Sequence, residues 1–150
     1  MTKVKNWQWY FLLIIIILAL SIKAYSYYYP KAQVIIGSNT FNVLVADNDR
    51  HFYKGLSNRE NLGKYGGMLF VFADRDRHTM VMRDMLFPID IVWLNDYKIV
   101  DIAPNVQPEP GVAELTQYRP RVGADMILEL KAGFVLKNKV KIGDTVTILR

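Results

Sequence analysis

Met68-Leu69-Phe70-Val71-Phe72 follows directly on Gly66-Gly67, and the reading of these five residues sets the architecture. The run is too short for a self-standing helix and has no polar alternate position. It therefore reads as a strand covered on both faces. Residues 89–94, Ile-Asp-Ile-Val-Trp-Leu, repeat the pattern with a single interruption at Asp90. Outward from these two, residues 33–37 and 41–46 are β-branched runs around Ser38-Asn39, a hairpin-like opening. Asp47-Asn48-Asp49 supplies caps for a short helical turn through Tyr53, and a loop rich in Gly, Ser and Asn runs from Gly55 to Gly67. Asp74-Arg75-Asp76-Arg77 reads as a solvated turn before a strand over 78–82. Asn95-Asp96 reads as a two-residue turn into a strand over 98–106. Pro104, Pro108, Pro110 and Pro120 punctuate a long loop through which no sheet ladder is expected, because proline has no N–H. Residues 126–130 and 145–149 are further strands, and 133–138 a turn or short helix. Short strands at roughly ten-residue spacing predict a mainly β sandwich or barrel.

Ahead of this lies Trp-Gln-Trp-Tyr-Phe-Leu-Leu-Ile-Ile-Ile-Ile-Leu-Ala-Leu-Ser-Ile, residues 7–22, without a charge. A span needs about 17–25 mostly apolar residues. The block reaches that length because Lys23 can extend its ammonium to the headgroups. Trp7, Trp9 and Tyr10 at one end, and Tyr25, Tyr27, Tyr28 and Tyr29 at the other, match interfacial aromatic belts. The sequence thus predicts an N-terminal transmembrane anchor over residues 1–30, with the helix over 7–25, and one domain over 31–150. The alternative is a signal peptide cleaved near Ala19-Leu20-Ser21, which would release the domain as a secreted protein. Lys3 and Lys5 before the span nearly balance Lys23 and Lys31 after it. A short N-terminal tail normally stays in the cytoplasm, so the expected location is the cell membrane, single-pass, with the domain extracytoplasmic.

From residue 31 onward, 16 basic side chains face 14 acidic ones, a net charge of +2. Such a balance gives no electrostatic footprint for nucleic acid. The absence of cysteine removes disulfides, thiolate catalysis, Cys-ligated zinc and a lipidated Cys anchor. No phosphate-cradling glycine loop, zinc-binding helix motif or nucleophile elbow occurs, so no cofactor or metal is expected. His51 and His78 are the domain's two histidines, and Ser38 and Ser57 its two serines, with no motif to assemble them into a triad. His51, at a polar helix start, reads as solvent-facing, and His78 as the beginning of a strand.

The ionisable residues in apolar surroundings carry more information. Asp90 interrupts one apolar run, and Glu129 interrupts Met126-Ile127-Leu128-Glu129-Leu130. Strand alternation puts Met126, Leu128 and Leu130 on one face and Glu129 with Ile127 on the other. A buried carboxylate needs a partner, hydrogen bonds or a proton. Arg59 and Arg83, the latter beside Asp84, are the candidate partners, since a guanidinium meets a carboxylate in two hydrogen bonds. Three readings stay open: ion pairs pinning loop 55–67 to the sheet, a pocket for a small anionic or polyhydroxyl ligand, or two carboxylates in acid–base work as in a glycoside hydrolase. Trp93 and Tyr118 could stack on a sugar, though Trp93 fits the core better.

Gly55-Leu56-Ser57-Asn58-Arg59, Gly67-Met68-Leu69-Phe70-Val71-Phe72, Met82-Arg83-Asp84, Pro88-Ile89-Asp90-Ile91, Leu128-Glu129-Leu130-x-x-Gly133 and Gly143-Asp144 occur in this order. The ordered set resembles the domain of unknown function 192 family of small prokaryotic proteins, often exported or membrane-anchored, over roughly residues 34–149. The resemblance implies a compact, jelly-roll-like β fold and carries no established activity, substrate or cofactor. Where the family has an aromatic, Met, a basic residue, Asn and Thr, this chain reads Val81-Met82-Arg83-Asp84-Met85. Asp84 thus replaces an amide with an acceptor-only carboxylate. The functional expectation is a membrane-tethered module that binds a small polar ligand or serves the envelope, through Arg59, Arg83, Asp84, Asp90 and Glu129. A small envelope hydrolase using Asp90 and Glu129, and an interaction module without a ligand site, are the alternatives.

Overall fold

The computed structural model describes residues 6–149, so the flanking lysines Lys3 and Lys5, and Arg150, lie outside the described residues. Helix α1 (Asn6–Tyr25) is apolar all round and buries none of its span against the rest of the chain. It is long and apolar enough to cross a membrane, with its backbone polar groups satisfied internally. Beyond it come β1 (Lys31–Ile36), β2 (Asn39–Ala46), α2 (Asp49–Lys54), β3 (Gly67–Asp76), β4 (Ile89–Asn95), β5 (Lys98–Val106), β6 (Ala124–Lys131), α3 (Phe134–Lys137) and β7 (Val146–Leu149).

The mainly β expectation holds, but the layers differ from a jelly-roll sandwich. All seven strands join one sheet in the order β5-β4-β6-β3-β2-β1-β7. It is mixed, because β2 and β3 pair in parallel across a connection that contains α2. The sheet curls until its edge strands approach: Val146 N–H donates to the Tyr97 carbonyl at 2.8 Å, and Ile99 N–H to the Asp144 carbonyl at 2.9 Å. The result is a half-barrel. Its concave side is filled from every strand, by Val34, Val43, Leu69, Val92, Ile99, Leu128 and Val146 among others. On the opposite face Leu44, Met68, Phe70, Ile91, Trp93 and Ile127 form a second core beneath Leu56, Met82 and Met85 of the long connections. This two-sided cover is why β4 is apolar at nearly every position.

Several local expectations need correction. The charged run 74–76 extends β3 as its exposed end instead of forming a turn, with Asp76 opposite Ala124 after a register irregularity. Residues 78–82 form no strand; Met80 alone makes a bridge, to Tyr118. The two-residue turn lies one position later, at Asp96-Tyr97, both with positive φ (49° and 61°), the geometry that suits a twisted hairpin. Pro104 does sit within a strand. β5 is a sheet edge, and its pairing with β4 is irregular between Ile89 and Ile91, where Asn105 has φ 54°. The helical turn after Asp47 forms as expected. Asn48 caps α2 by accepting from His51 N–H at 3.0 Å.

Candidate functional site

β6 alternates as the sequence implies: Met126, Leu128 and Leu130 enter the concave core, while Ile127 enters the outer one. Glu129 therefore emerges on the outer face, opposite Met68 of β3 and Ile91 of β4. It is 5% exposed, and among the described residues its Oε2 has no hydrogen-bond partner. Burial pushes this carboxyl up to about 8. At neutral pH it is thus chiefly a carboxylic acid, able to donate through O–H and accept through C=O.

An open cleft of about 260 Å³ lies over Glu129, walled by Ser57, Phe70, Thr79, Met80 and Arg83 among others. The α2 end and the loop after it make one wall. Gly55 takes φ 45° there, and its N–H donates to the His51 carbonyl. Segment 79–85 makes the other. The two are held together by backbone-directed bonds: Ser57 Oγ donates to the Arg83 carbonyl at 2.7 Å, and Asn58 N–H to the Asp84 carbonyl at 2.8 Å. The Arg83 guanidinium donates to the Tyr53 carbonyl and lies over the Tyr53 ring, 4.0 Å from its centroid.

The five sequence-selected residues do not form one cluster. Glu129 and Arg83 share the cleft. Asp84 is exposed, with φ 54°, and borders an adjoining cavity of about 360 Å³ with Arg83 and Glu109. Its left-handed backbone suits Asn and Asp alike, which gives the Asn-to-Asp departure a conformational explanation. Arg59 lies elsewhere, its guanidinium 5.6 Å from the Tyr29 ring centroid. Asp90, fully buried, projects from the concave face of the sheet. Its carboxylate accepts from the backbone N–H groups of Asn105 (2.7 Å), Gly133 (3.1 Å) and Val135 (2.8 Å), tying β5 and the start of α3 to β4. Asp90 and Glu129 occupy opposite faces, so they cannot flank one scissile bond.

Among the described residues, none of the five takes part in an ion pair within 4.0 Å. The expectation of salt bridges pinning loop 55–67 is replaced by the hydrogen bonds to carbonyls just described. The arginine–carboxylate fork that does form is Arg121 with Asp101. Arg121 Nη2 lies 2.7 Å from Oδ1, and this pair fastens the proline-rich connection to β5. No local pattern marked that pair. Trp93 is core, with Nε1 donating to the His78 carbonyl at 3.2 Å, and His78 stacks on Phe72. His51, expected at the surface, is 3% exposed because Tyr29 stacks on it with ring centroids 4.1 Å apart. Its partner comes from the connector after α1, which the helix-start pattern alone does not reveal.

A solved structure of a protein of unknown function from Novosphingobium aromaticivorans superposes with a TM-score of 0.67 at 26% identity, covering 79% of this chain and 84% of that one. A Sinorhizobium meliloti protein described as a "putative transcription regulator" gives a TM-score of 0.66 at 27% identity, covering 80% and 95%. No curated protein matches. The profile of DUF192, described as an uncharacterized ACR, matches residues 32–148, nearly the whole β region and every motif quoted above. The chain therefore belongs to the DUF192 family.

Proposed function

We propose that this protein is a membrane-tethered binding module, with residues 1–30 as a retained anchor, the domain of residues 31–150 on the extracytoplasmic side, and the Glu129 cleft as its ligand site. The observation that carries this reading is Glu129 itself: a buried carboxyl with an unpartnered oxygen at the edge of an open cavity. A buried polar atom without a partner is destabilising, and a ligand that supplies the missing hydrogen bond recovers the loss. The neutral acid suits a ligand that both donates and accepts, and Arg83 at the wall suits one with an acidic or hydroxyl-rich end. A small polyhydroxyl or carboxylate-bearing molecule fits both. Arg59, Asp84 and Asp90 are not needed for it.

The test is a thermal-shift titration of the full chain with a panel of sugars, sugar acids and small carboxylates. A saturable rise in Tm is expected, lost in Glu129→Leu and weakened in Arg83→Gln. If every compound that shifts the wild type shifts Glu129→Leu equally, the cleft is not the site. The description of the Sinorhizobium relative is not extended to this chain, whose charges are nearly balanced after residue 30.

A further inference from the structure

A second cleft, of about 390 Å³, opens between the connector that follows α1 and the outer side of α2. Arg50 and Lys54 of α2 and Arg59 of the next loop line it, together with His51, Tyr29 and Ser26, and its lining includes no carboxylate. Three cations around one cavity repel one another unless an anion lies between them. Two of them are held in place. Arg50 Nη1 donates to Ser26 Oγ at 3.0 Å while its guanidinium lies 3.6 Å from the Tyr27 ring centroid, and Arg59 lies over Tyr29. A guanidinium stacked on a ring keeps its planar N–H edge available for an oxyanion.

His51 forms the back of this cleft and adds a second, independent observation. The Asn48 side-chain oxygen accepts from the His51 backbone N–H, its amide NH₂ lies 2.8 Å from His51 Nδ1, and the Asp47 carboxylate lies 3.3 Å from the same ring nitrogen. Both neighbours thus meet the ring at Nδ1, and neither reaches Nε2. That atom is buried and has no hydrogen-bond partner among the described residues. Burial also pushes the Tyr29 hydroxyl up, against the pull of Arg59 and Arg50.

We propose that this cleft binds a phosphate-bearing anion, neutralised by Arg50, Lys54 and Arg59, with the buried, unpartnered His51 Nε2 at its wall. A lipid headgroup and a soluble phosphate ester share that chemistry. Ser26 follows the last residue of α1 directly, which sets the cleft at the depth of the headgroups once α1 spans a bilayer. The assignment to a lipid rests on the anchor reading above; the anion site does not.

The test uses the full chain in neutral maltoside micelles, titrated with short-chain phosphatidylglycerol and separately with inorganic phosphate at matched ionic strength, with Tm as the readout. A saturable rise is expected for at least one probe. The apparent Kd should weaken tenfold or more in the Lys54→Gln/Arg59→Gln double variant and remain unchanged in Arg75→Gln, a cation outside the cleft. Response to phosphatidylglycerol alone assigns the ligand to the bilayer, and a parallel response to inorganic phosphate identifies the phosphoryl group as sufficient. Lys54→Gln alone, at an exposed side chain, serves where the double variant is poorly folded, with a threefold or greater weakening expected. No saturable shift with either probe, or an equal response in the cleft variants, overturns the proposal, as does an equal loss in Arg75→Gln. Release of the intact chain from vesicles by alkaline carbonate, with the phosphate response kept, would remove the anchor reading and leave the anion site standing.

Discussion

Asp90 and Glu129 are one residue apart in register across β4 and β6, since Ile91 faces Glu129 and Asp90 faces Leu130. Both are single acids in apolar strands, and both are buried. They differ in what the opposite faces of the sheet offer. The concave face brings three backbone N–H donors to Asp90, whereas the outer face leaves a Glu129 oxygen without one. A buried carboxyl with its donors supplied is a clasp; the same group beside an open cleft without them is what the proposed ligand reading rests on. Sequence context alone treats the two alike.

Removing the clasp should have the larger effect. Asp90→Ala removes the acceptor of three backbone N–H groups, that of Val135 in the buried core, and is expected to destabilise the domain by about 3–5 kcal/mol in urea unfolding. A loss under about 1 kcal/mol would erase the distinction between the two carboxyls. Glu129 should show itself in pH dependence. Its folded-state value, about 8 against an ordinary 4.5, means that the folded chain binds a proton the unfolded chain has released. Its contribution is therefore fully present below about 4.5 and lost as pH rises through about 8. The steepest slope is about 1.4 kcal/mol per pH unit. Urea titrations at several pH values should find that slope in the wild type and none from this site in Glu129→Gln.

Gly67 offers a way to disturb the Glu129 side without touching the carboxyl. A Cβ there would collide with the Glu129 backbone carbonyl across the β3–β6 ladder. Gly67→Ala is therefore expected to cost about 1–3 kcal/mol, read from thermal unfolding. The smallest effect belongs to the visible ion pair. Arg121 is 71% exposed, so Arg121→Gln should leave the thermal unfolding midpoint nearly unchanged despite its fork on Asp101.

The strands at the sheet centre were legible because cover on both faces writes a continuous apolar run, as at 68–72 and 89–94. Alternation along β6 gave the side on which Glu129 emerges. The single curled sheet was not legible. Strand spacing is the same for a sandwich, and the parallel β2–β3 pairing depends on where the connection through α2 packs. Pro104 misled because proline excludes central strands and not edges, and edge position belongs to topology. The partners of Asp90 are backbone groups 15 to 45 residues away. Backbone donors leave no residue-type signature, so a carboxylate satisfied by them looks unpaired in sequence. Arg83 follows the same logic, turning to the Tyr53 carbonyl and ring instead of a neighbouring acid.

β1 sits between β2 and β7, so the first strand to emerge from the ribosome after α1 is completed by the last. Throughout translation the outer flank of β1 stays bare until β7 has been made. A transcript cut short before codon 146 would thus yield a polypeptide with an open, self-complementary margin. Such a product is a natural target for proteases that police unfinished chains, and a seed for clumping if they miss it.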